Sequence, residues 1–313
     1  MDEKLIVSSS PHILDNDTTR NIMLDVIIAL LPATVAALYY FKTNAAIIIL
    51  LSVLSAVVSE AIYQKATNQP VTINDLSAVV TGLLLAFNLP ASAPWWMPIF
   101  GSAFAIIIVK QFFGGVGQNF MNPALAARIF LMISYTGRMT SWVSPGVDAM
   151  STATPLDFVK GVNHVPSGAP KLVDMLFGNT GGSLGETSAI LLILGGIYMV
   201  YRGVISIKIP AIYISTVAIA TLLFGNFDIN FMMYHLLAGG LMLGAFFMAT
   251  DYASAPITPK GRIIFALGCG ILTSVFRLYG GYPEGVGFSI LLMNIASPLI
   301  EKYTKPRVFG EVK

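Results

Sequence analysis

The stretch Asn21–Phe41, NIMLDVIIALLPATVAALYYF, is almost continuously apolar, and a second apolar stretch, Asn44–Tyr63, begins three residues after it ends. A helix that crosses the hydrocarbon of a bilayer needs about 20 mostly apolar residues. Both stretches have that length. They therefore predict two membrane spans at the start of the chain, and they set the fold class that the rest of the sequence follows.

The composition of the chain agrees with a membrane location. Of the 313 residues, 55% are hydrophobic and 11% are charged, whereas about 25% are charged in a typical soluble domain. The net charge of +2 is small and scattered, which argues against nucleic-acid binding. The single cysteine, Cys269, lies in an apolar run, so the chain holds neither an internal disulfide nor a cysteine cluster for zinc or iron–sulfur. No metal site is predicted, and redox chemistry here needs an organic cofactor or another subunit.

Apolar segments of suitable length recur along the whole chain and predict an all-α polytopic membrane protein with about ten transmembrane helices. The candidate spans are Asn21–Phe41, Asn44–Tyr63, Asp75–Leu89, Trp95–Lys110, Phe120–Tyr135, Thr187–Tyr201, Ile207–Phe224, Phe231–Thr250, Arg262–Phe276 and Val286–Ile300. The third, fifth and ninth are short. We expect broken or tilted helices there, because irregular backbone at membrane depth is tolerated where protein or a cavity covers it.

Positive charges are distributed unevenly between the two sets of loops. With the N-terminus inside, 12 of the 18 Lys and Arg residues fall on cytoplasmic segments, 5 fall on the opposite side and Arg128 lies within the fifth span. An excess of Lys and Arg marks the cytoplasmic side. We therefore expect both termini to be cytoplasmic and the long polar loop, Thr136–Glu186, to be extracytoplasmic.

Short motifs recur in the two halves of the chain. Ala91-Ser92-Ala93-Pro94 is repeated as Ala253-Ser254-Ala255-Pro256, and both halves reach a Met-Asn pair, Met121-Asn122 and Met293-Asn294. Recurrence in the same order predicts a duplicated unit. Because each unit has an odd number of spans, five, the copies are expected to be inverted, which places binding sites near the midplane. The predicted organisation is an N-terminal cytoplasmic segment, a first repeat, the extracytoplasmic loop, a second repeat and a cytoplasmic tail: 1–20, 21–135, 136–186, 187–300 and 301–313.

The long loop carries a run of hydroxyl residues, Ser151-Thr152-Ala153-Thr154, followed by Pro155-Leu156. One interpretation is a helix N-terminus, with a hydroxyl cap before a proline at the first helical position. The other is attached chemistry, although an alkyl hydroxyl needs an activating group to act as a nucleophile. The nearest histidine on the loop, His164, lies ten residues from Thr154. The two interpretations are compatible if Ser151 or Thr152 caps the turn while Thr154 carries a group.

Several segments together resemble one family of membrane proteins, the RnfD/NqrB family, and most closely its Rnf D-type members. The similar segments are Ser9–His12, Ser77–Ala86, Gly114–Ala124, Asp148–Leu156, Met248–Asp251 and Gly280–Val286. The D-type members belong to the Rnf ion-translocating ferredoxin:NAD oxidoreductase complex. The related B-type members belong to the sodium-pumping NADH:quinone reductase. The resemblance covers nearly the whole chain.

The resemblance implies a covalent cofactor on the long loop. In the family, an extracytoplasmic flavin transferase links FMN through its phosphate to the threonine that matches Thr154, within the segment that includes Ser151, Thr152 and Ala153. The family pattern has Gly where Thr152 stands, so Thr152 is a competing acceptor. We expect Thr154, because it is the hydroxyl residue directly before Pro155.

A second flavin, non-covalent riboflavin or FMN, is implied near the segment Asn119-Phe120-Met121-Asn122-Pro123. The side-chain amides of Asn119 and Asn122 could hydrogen-bond the edge of a flavin ring. The alternative is a helix start, with Asn122 as cap and Pro123 at the first helical position. Both interpretations stay open from the sequence.

Ionisable side chains near or within spans are costly in hydrocarbon and mark candidate ion paths. Most of those in this chain lie at span ends, where water reaches them. Asp251 and Glu284 are the better candidates for an ion path, because both adjoin turns at the boundaries of the repeats.

The sequence therefore predicts a membrane subunit of an Rnf-type complex in a bacterial or archaeal cytoplasmic (inner) membrane. It would relay electrons through FMN during ferredoxin:NAD oxidoreduction coupled to Na⁺ or H⁺ movement, with subunits of the A, B, C, E and G types and membrane lipid as partners. The chain shows neither a dinucleotide fingerprint nor cysteine ligands, so no complete active site is expected in it. The alternatives are a B-type component of the sodium-pumping reductase, a urea-channel-like transporter and an assembly scaffold.

Overall fold

The computed structural model describes residues 18–145, 153–162, 164–186, 188–282 and 284–305. Within these ranges the regular secondary structure is helical and no β-strand is present; an isolated bridge pairs Pro90 with Ser183. The predicted all-α class is confirmed. The most buried side chains form a continuous apolar core that draws on helices from both halves of the chain.

The helices fall into a long first element and a set of shorter ones. They are α1 Thr19–Ala66, α2 Ser77–Phe87, α3 Trp96–Ala103, α4 Pro123–Ser134, α5 Thr136–Met139, α6 Pro155–Val159, α7 Leu172–Phe177, α8 Ala189–Tyr201, α9 Lys208–Phe224, α10 Ile229–Leu237, α11 Leu241–Leu243, α12 Pro259–Tyr279 and α13 Val286–Thr304. Two π-helical segments, Phe104–Lys110 and Gly244–Met248, extend α3 and α11. Short 3-10 turns cover Ile73–Asp75, Gln111–Phe113 and Leu184–Glu186.

Helix α1 contains the first two predicted spans. It is interrupted at Lys42, whose φ of 47° and ψ of −124° are not helical. A positive φ is uncommon for a residue with a side chain, so this position divides α1 into two segments. Thr18 caps the N-terminus of α1, where its side-chain oxygen accepts from the backbone N–H of Asn21 at 3.2 Å.

The lengths of the predicted short spans agree with the structure in two cases of three. Helices α2 and α4, in the third and fifth spans, have 11 and 12 residues. The prediction for the ninth span was wrong, because α12 is a continuous helix of 21 residues. Its first turn is polar, and Thr258 caps it by accepting from Gly261 N–H at 3.1 Å, so the helix extends beyond the apolar run.

The break occurs in the eighth span instead. Helices α10 and α11 with its π-helical extension meet at a bend of 63°. Gly239, between them, has a φ of +67°, a conformation that glycine adopts without the steric cost a Cβ would bring. This glycine therefore ends α10 and allows the chain to restart as α11.

Three of the described helical stretches have the length and composition to cross a membrane unaided, Thr19–Ala66, Trp96–Phe113 and Pro259–Tyr279, and the bent pair Ile229–Leu237 with Leu241–Met248 makes a fourth. Four shorter apolar helices, of 10 to 17 residues, accompany them. The chain is thus a multi-pass membrane protein. The count of ten spans and the inverted arrangement of two repeats stay predictions.

The two Met-Asn pairs noted in the sequence come together in the interior. Asn122 and Asn294 are 3% and 1% exposed. With its amide oriented so that the oxygen faces Asn122, Asn294 accepts from the backbone N–H of Asn122 at 3.1 Å. The asparagines of the two Met-Asn pairs therefore contact each other directly.

Candidate functional site

Thr154 is the N-cap of the short loop helix α6. Its backbone N–H and its hydroxyl both donate to Asp157 Oδ2 at 2.8 Å. In return, the Asp157 backbone N–H donates to Thr154 Oγ1 at 3.3 Å. This reciprocal pattern is a capping box, with Pro155 at the first helical position. The helix-start interpretation of this run is therefore confirmed, with Thr154 itself as the cap. Ser151 and Thr152, the other possible caps, lie outside the described residues.

The hydroxyl of Thr154 is enclosed in this arrangement. The residue is 1% exposed, whereas its neighbours Ala153 and Asp157 are exposed. A phosphoester on Thr154 would remove the hydroxyl proton and with it the bond to Asp157, but the bond from the Thr154 backbone N–H to Asp157 would remain. The residue type and the exposed flanks fit such an attachment, provided that the cap opens to admit the incoming phosphate.

Helix α6 is docked into the helical body by apolar side chains. Leu156 and Val159 are each 2% exposed. A Cβ placed on Gly239 would lie only 2.7 Å from Leu156 Cδ1, so Leu156 sits against the break in the eighth span. Lys160, just beyond α6, donates to the carbonyl of Gly281. The loop thus contacts the interior of the protein at the broken helix.

Four charged side chains surround that break. Arg277 donates to the carbonyls of His235 and Ala238 at the end of α10, groups that lack helical partners there. Arg128 forms an ion pair with Glu284 and donates to Asn88 Oδ1 at 2.7 Å.

Glu186 completes this central charge cluster, which we define as Arg128, Glu186, Arg277 and Glu284. A Cβ on Gly240 would lie 3.9 Å from both Arg128 Nη1 and Glu186 Oε1. Glu186 also interacts electrostatically with Arg277. Buried charges persist when they are paired, and the cluster matches two cations with two anions.

An apolar cavity of about 290 Å³ lies at the end of the bundle where α1 begins. Its wall includes three predicted flavin-site residues, Asn119, Asn122 and Pro123, together with Asp251. Aliphatic and aromatic side chains from both halves of the chain form most of the remaining wall. A largely apolar cavity with a few polar groups is typical of a small-molecule site.

Asn122 is committed to contacts within the protein. Its Oδ1 accepts from the backbone N–H groups of Ala124 and Leu125 at 3.1 and 3.2 Å, which caps α4. Its Nδ2 donates to the Met248 carbonyl at 3.4 Å. The helix-start interpretation of this residue is therefore correct, and the same residue lines the cavity. Asn119 Nδ2 donates to the Met121 carbonyl at 3.0 Å.

The two candidates for an ion path lie in different surroundings. Asp251 lines the cavity and accepts from the Ser254 hydroxyl at 2.9 Å. Glu284 is not among the residues that line the cavity, and it pairs with Arg128 in the central charge cluster. The structure does not bring Asp251 and Glu284 together in one site.

A further buried charge pair, which lies beside the cavity, was not predicted from the sequence. Lys110 Nζ lies 2.8 Å from Glu60 Oε1, and the two residues are 3% and 0% exposed. Lys110 also lines the cavity. The signal available in the sequence was a lysine at the end of a long apolar run, but Glu60 is fifty positions away and no local pattern joins them.

One segment connects the cavity with the loop helix. Gly240 begins the segment beside the central charge cluster, and Met248 ends it beside Asn122. Eight helical steps correspond to about 12 Å. The segment includes Phe246 and Phe247, which face the cavity.

The chain is thus a multi-pass membrane protein with a broken helix. The loop helix that begins at Thr154 packs on the break, and an apolar cavity lies at the other end of the same segment. The chain belongs to the NQR2, RnfD, RnfE family, whose model matches residues 6–310.

Individual relatives are similar over almost their full lengths. The D subunit of the Na⁺-translocating ferredoxin:NAD⁺ oxidoreductase complex of Acetobacterium woodii is 54% identical over 99% of this chain and 96% of its own. The D subunit of the proton-translocating ferredoxin:NAD⁺ oxidoreductase complex of Clostridium ljungdahlii is 46% identical over 97% and 96%. The D subunit of an ion-translocating oxidoreductase complex of Alcanivorax borkumensis is 38% identical over 98% and 97%.

Proposed function

We propose that this chain is the D-type membrane subunit of an Rnf-type complex and that it relays electrons through FMN bound covalently at Thr154. The observation that carries this proposal is the position of Thr154: the acceptor threonine begins a helix whose Leu156 packs on the break in the eighth span. A cofactor attached there would be held beside the interior of the protein, and the tether would replace a bimolecular capture step with a high local concentration.

A second, non-covalent flavin occupies the cavity lined by Asn119, Asn122 and Pro123 in this proposal. The largely apolar walls suit an isoalloxazine ring, and Thr81, Asn119 and Asp251 would supply polar groups for its edge. The bound ring system supplies the electron-transfer chemistry, while the protein supplies placement and electrostatics. The segment from Gly240 to Met248, about 12 Å long, runs from the break on which Leu156 packs to the wall of the cavity.

The cavity and the long loop contact opposite ends of the first segment of α1, an arrangement that would suit electron transfer across the membrane. Thr19, at the start of α1, lines the cavity. Tyr40, just before the kink at Lys42, donates to the Phe177 carbonyl of the long loop at 2.9 Å. We place the cavity and both termini on the cytoplasmic side and Thr154 on the outer side, where a flavin transferase can reach it.

The relatives described above carry names of ferredoxin:NAD⁺ complexes that move Na⁺ or protons. They favour an Rnf-type complex over the sodium-pumping NADH:quinone reductase as the parent complex. The proposed partners are the other subunits of that complex, of the A, B, C, E and G types. The substrates react on those subunits, and this chain contributes flavins and part of the membrane path.

Electron transfer in membranes that contain the assembled complex tests the proposal. Ferredoxin-dependent NAD⁺ reduction should fall to background in Thr154→Ala, because the electron path lacks one carrier. Thr152→Ala is the matched control, since it removes a neighbouring hydroxyl of the same type, and it should keep the wild-type rate. Undiminished NAD⁺ reduction in an assembled Thr154→Ala complex would overturn the proposal.

A further inference from the structure

The buried pair of Lys110 and Glu60 lies at the wall of the cavity and has no part in the relay described above. Lys110 ends the π-helical segment Phe104–Lys110, and π-helical segments occur frequently at functional sites. A lysine ammonium has three N–H donors. Two of them are used within the protein, at 2.8 Å to Glu60 Oε1 and 2.7 Å to Ser77 Oγ.

The cation and the anion of this pair are placed differently with respect to the cavity. Lys110 and Ser77 both line it, whereas Glu60 does not. Gln111 Nε2 donates to Glu60 Oε1 at 2.7 Å, and Gln64 Nε2 lies 3.5 Å from the same oxygen. The pair is neutral as a whole, but its positive end faces the cavity and its negative end is turned into the protein. Ser77 Oγ donates in turn to Asp75 Oδ1 at 2.6 Å, and Asp251 also lines the cavity. These two carboxylates are the same in every variant compared below.

A dipole with this orientation discriminates between ligands by their charge. Electrostatic interactions are strong where water is excluded, and the glutamate and the lysine are almost completely buried. A neutral ring in the cavity gains little from Lys110. A ring that has taken up more electrons than protons carries a negative charge, and its binding energy gains more from Lys110.

We propose that Lys110, held by Glu60 and Ser77, is a positioning residue that makes the cavity bind the reduced form of a redox-active aromatic ring more tightly than the oxidised form. This inference rests on the proposed second flavin. The electrons come from a one-electron donor on another subunit of the complex and enter the ring. No bond is made or broken at Lys110.

By thermodynamic linkage, tighter binding of the reduced ring makes the ring easier to reduce. The cavity would therefore favour arrival of electrons at this position. In Lys110→Met the ring bound in the cavity would be harder to reduce. The shape of the cavity would be kept, because methionine has a similar length and flexibility but no charge.

The test compares two dissociation constants in the purified complex after removal of non-covalent flavin. Riboflavin is titrated once in its oxidised form and once after anaerobic reduction with dithionite. The measured quantity is the ratio of the two constants. Lys110→Met should shift this ratio against the reduced form by about tenfold, the effect of one charge at about 10 Å in an effective dielectric constant of about 20. Lys110→Arg should keep the wild-type ratio, because it keeps the charge.

A substitution of Glu60, the negative end of the pair, should shift the ratio of dissociation constants in the opposite direction. Glu60→Gln removes the negative charge and keeps the shape, so it should shift the ratio further toward the reduced form. Gln111→Met is the structural control, because it removes a hydrogen bond to the same carboxylate but no charge. It should leave the ratio unchanged even if it lowers the thermal stability of the complex.

The outcomes separate this inference from the function on which it rests. Riboflavin binding with equal ratios in wild type, Lys110→Met and Glu60→Gln would overturn the role of Lys110 and leave the second flavin site standing. Shifts of the same sign in both variants would overturn that role as well. Absence of riboflavin binding in the wild-type complex would overturn the flavin site itself. If Lys110→Met does not assemble, Lys110→Arg and Glu60→Gln still decide, because the first must keep the ratio and the second must move it.

Discussion

The hydroxyl of Thr154 donates to the carboxylate of Asp157 at 2.8 Å, and the same carboxylate accepts the backbone N–H of Thr154. The residue proposed to carry FMN is therefore also the residue that starts helix α6. Esterification would remove one of these two bonds and would place a phosphate near a carboxylate, two like charges that repel each other. The modified and unmodified loops should differ in local structure at this cap.

Loss of the capping carboxylate should impair attachment of the flavin. Asp157→Ala removes both bonds to Thr154, and loss of a capping interaction costs about 0.5–2 kcal/mol. We expect the α6 turn to fray and the fraction of chains with covalent FMN to fall. Attachment itself breaks only the hydroxyl bond, whereas the variant also loses the backbone bond that holds Thr154 at the start of the turn. The measurement is flavin fluorescence per chain in denaturing gels.

Asp174→Ala is the matched control for that prediction. Asp174 lies in the first turn of the neighbouring loop helix α7, whose N-cap Lys171 makes no side-chain capping bond. The control changes the loop charge by the same amount and should leave attachment unchanged. Equal losses in both variants would show that the loop charge, and not the cap, controls attachment.

The contact of Leu156 with Gly239 should be sensitive to a single methyl group. Gly239→Ala places a Cβ 2.7 Å from Leu156 Cδ1 and adds a side chain at a φ of +67°. Gly203→Ala is the matched control, since it has a φ of +74° and open space around the new Cβ. Both variants should lose about 1–2 kcal/mol of folding free energy to backbone strain.

Only Gly239→Ala should lose a further amount of folding free energy, about 1–3 kcal/mol, to overpacking. It alone should also make the long loop more susceptible to proteolysis. The thermal unfolding midpoint of the complex and the rate of loop cleavage measure the two effects. Adding Leu156→Ala to Gly239→Ala should recover part of the loss. Identical behaviour of the two glycine variants would disprove the docking contact.

The protein should lose less stability when both members of the Arg128–Glu284 pair are replaced than when only one of them is. Arg128→Met leaves Glu284 buried without its cation, and breaking a buried pair costs about 3–5 kcal/mol. The double variant Arg128→Met/Glu284→Gln removes both charges and should be more stable than Arg128→Met. Thermal unfolding of the purified complex measures the difference; a double variant less stable than the single one would contradict the pairing.

Asn122 should affect helix stability and flavin binding separately. Asn122→Ser keeps a side-chain oxygen that can cap α4 but loses the donor to the Met248 carbonyl. It should nearly retain the thermal stability of the complex and lower the amount of acid-extractable flavin, because the bond that holds the segment with Phe246 and Phe247 against the start of α4 is lost. Asn122→Ala should lose both, with a capping cost of about 0.5–2 kcal/mol. Wild-type flavin content in both variants would remove Asn122 from the cavity's binding function.

The parts of the fold that depend on local sequence were predictable. Apolar runs gave the helices, and the order Thr154, Pro155, Asp157 marks a helix start by itself. The location of the broken span was not predictable by hydropathy, because the break depends on a glycine with positive φ and on Arg277, which reaches back to the carbonyls of α10. Contacts of this kind join residues about forty positions apart.

The candidate site likewise has one part that the local sequence predicts and one part that depends on contacts between distant residues. Asn119, Asn122 and Pro123 are close together in sequence, and the structure places all three on one cavity. The pairing of Lys110 with Glu60 was not predictable, because it depends on how α1 packs against the π-helical segment that ends at Lys110. Nothing in the local pattern around either residue identifies its partner.

The most direct test of the central claim is in-gel flavin fluorescence of the denatured chain, produced in a host that contains the flavin transferase. The account predicts a fluorescent band for the wild type and for Thr152→Ala, and no fluorescence for Thr154→Ala at equal amounts of protein. A non-fluorescent wild-type band, or a Thr154→Ala band as bright as the wild type, would contradict it.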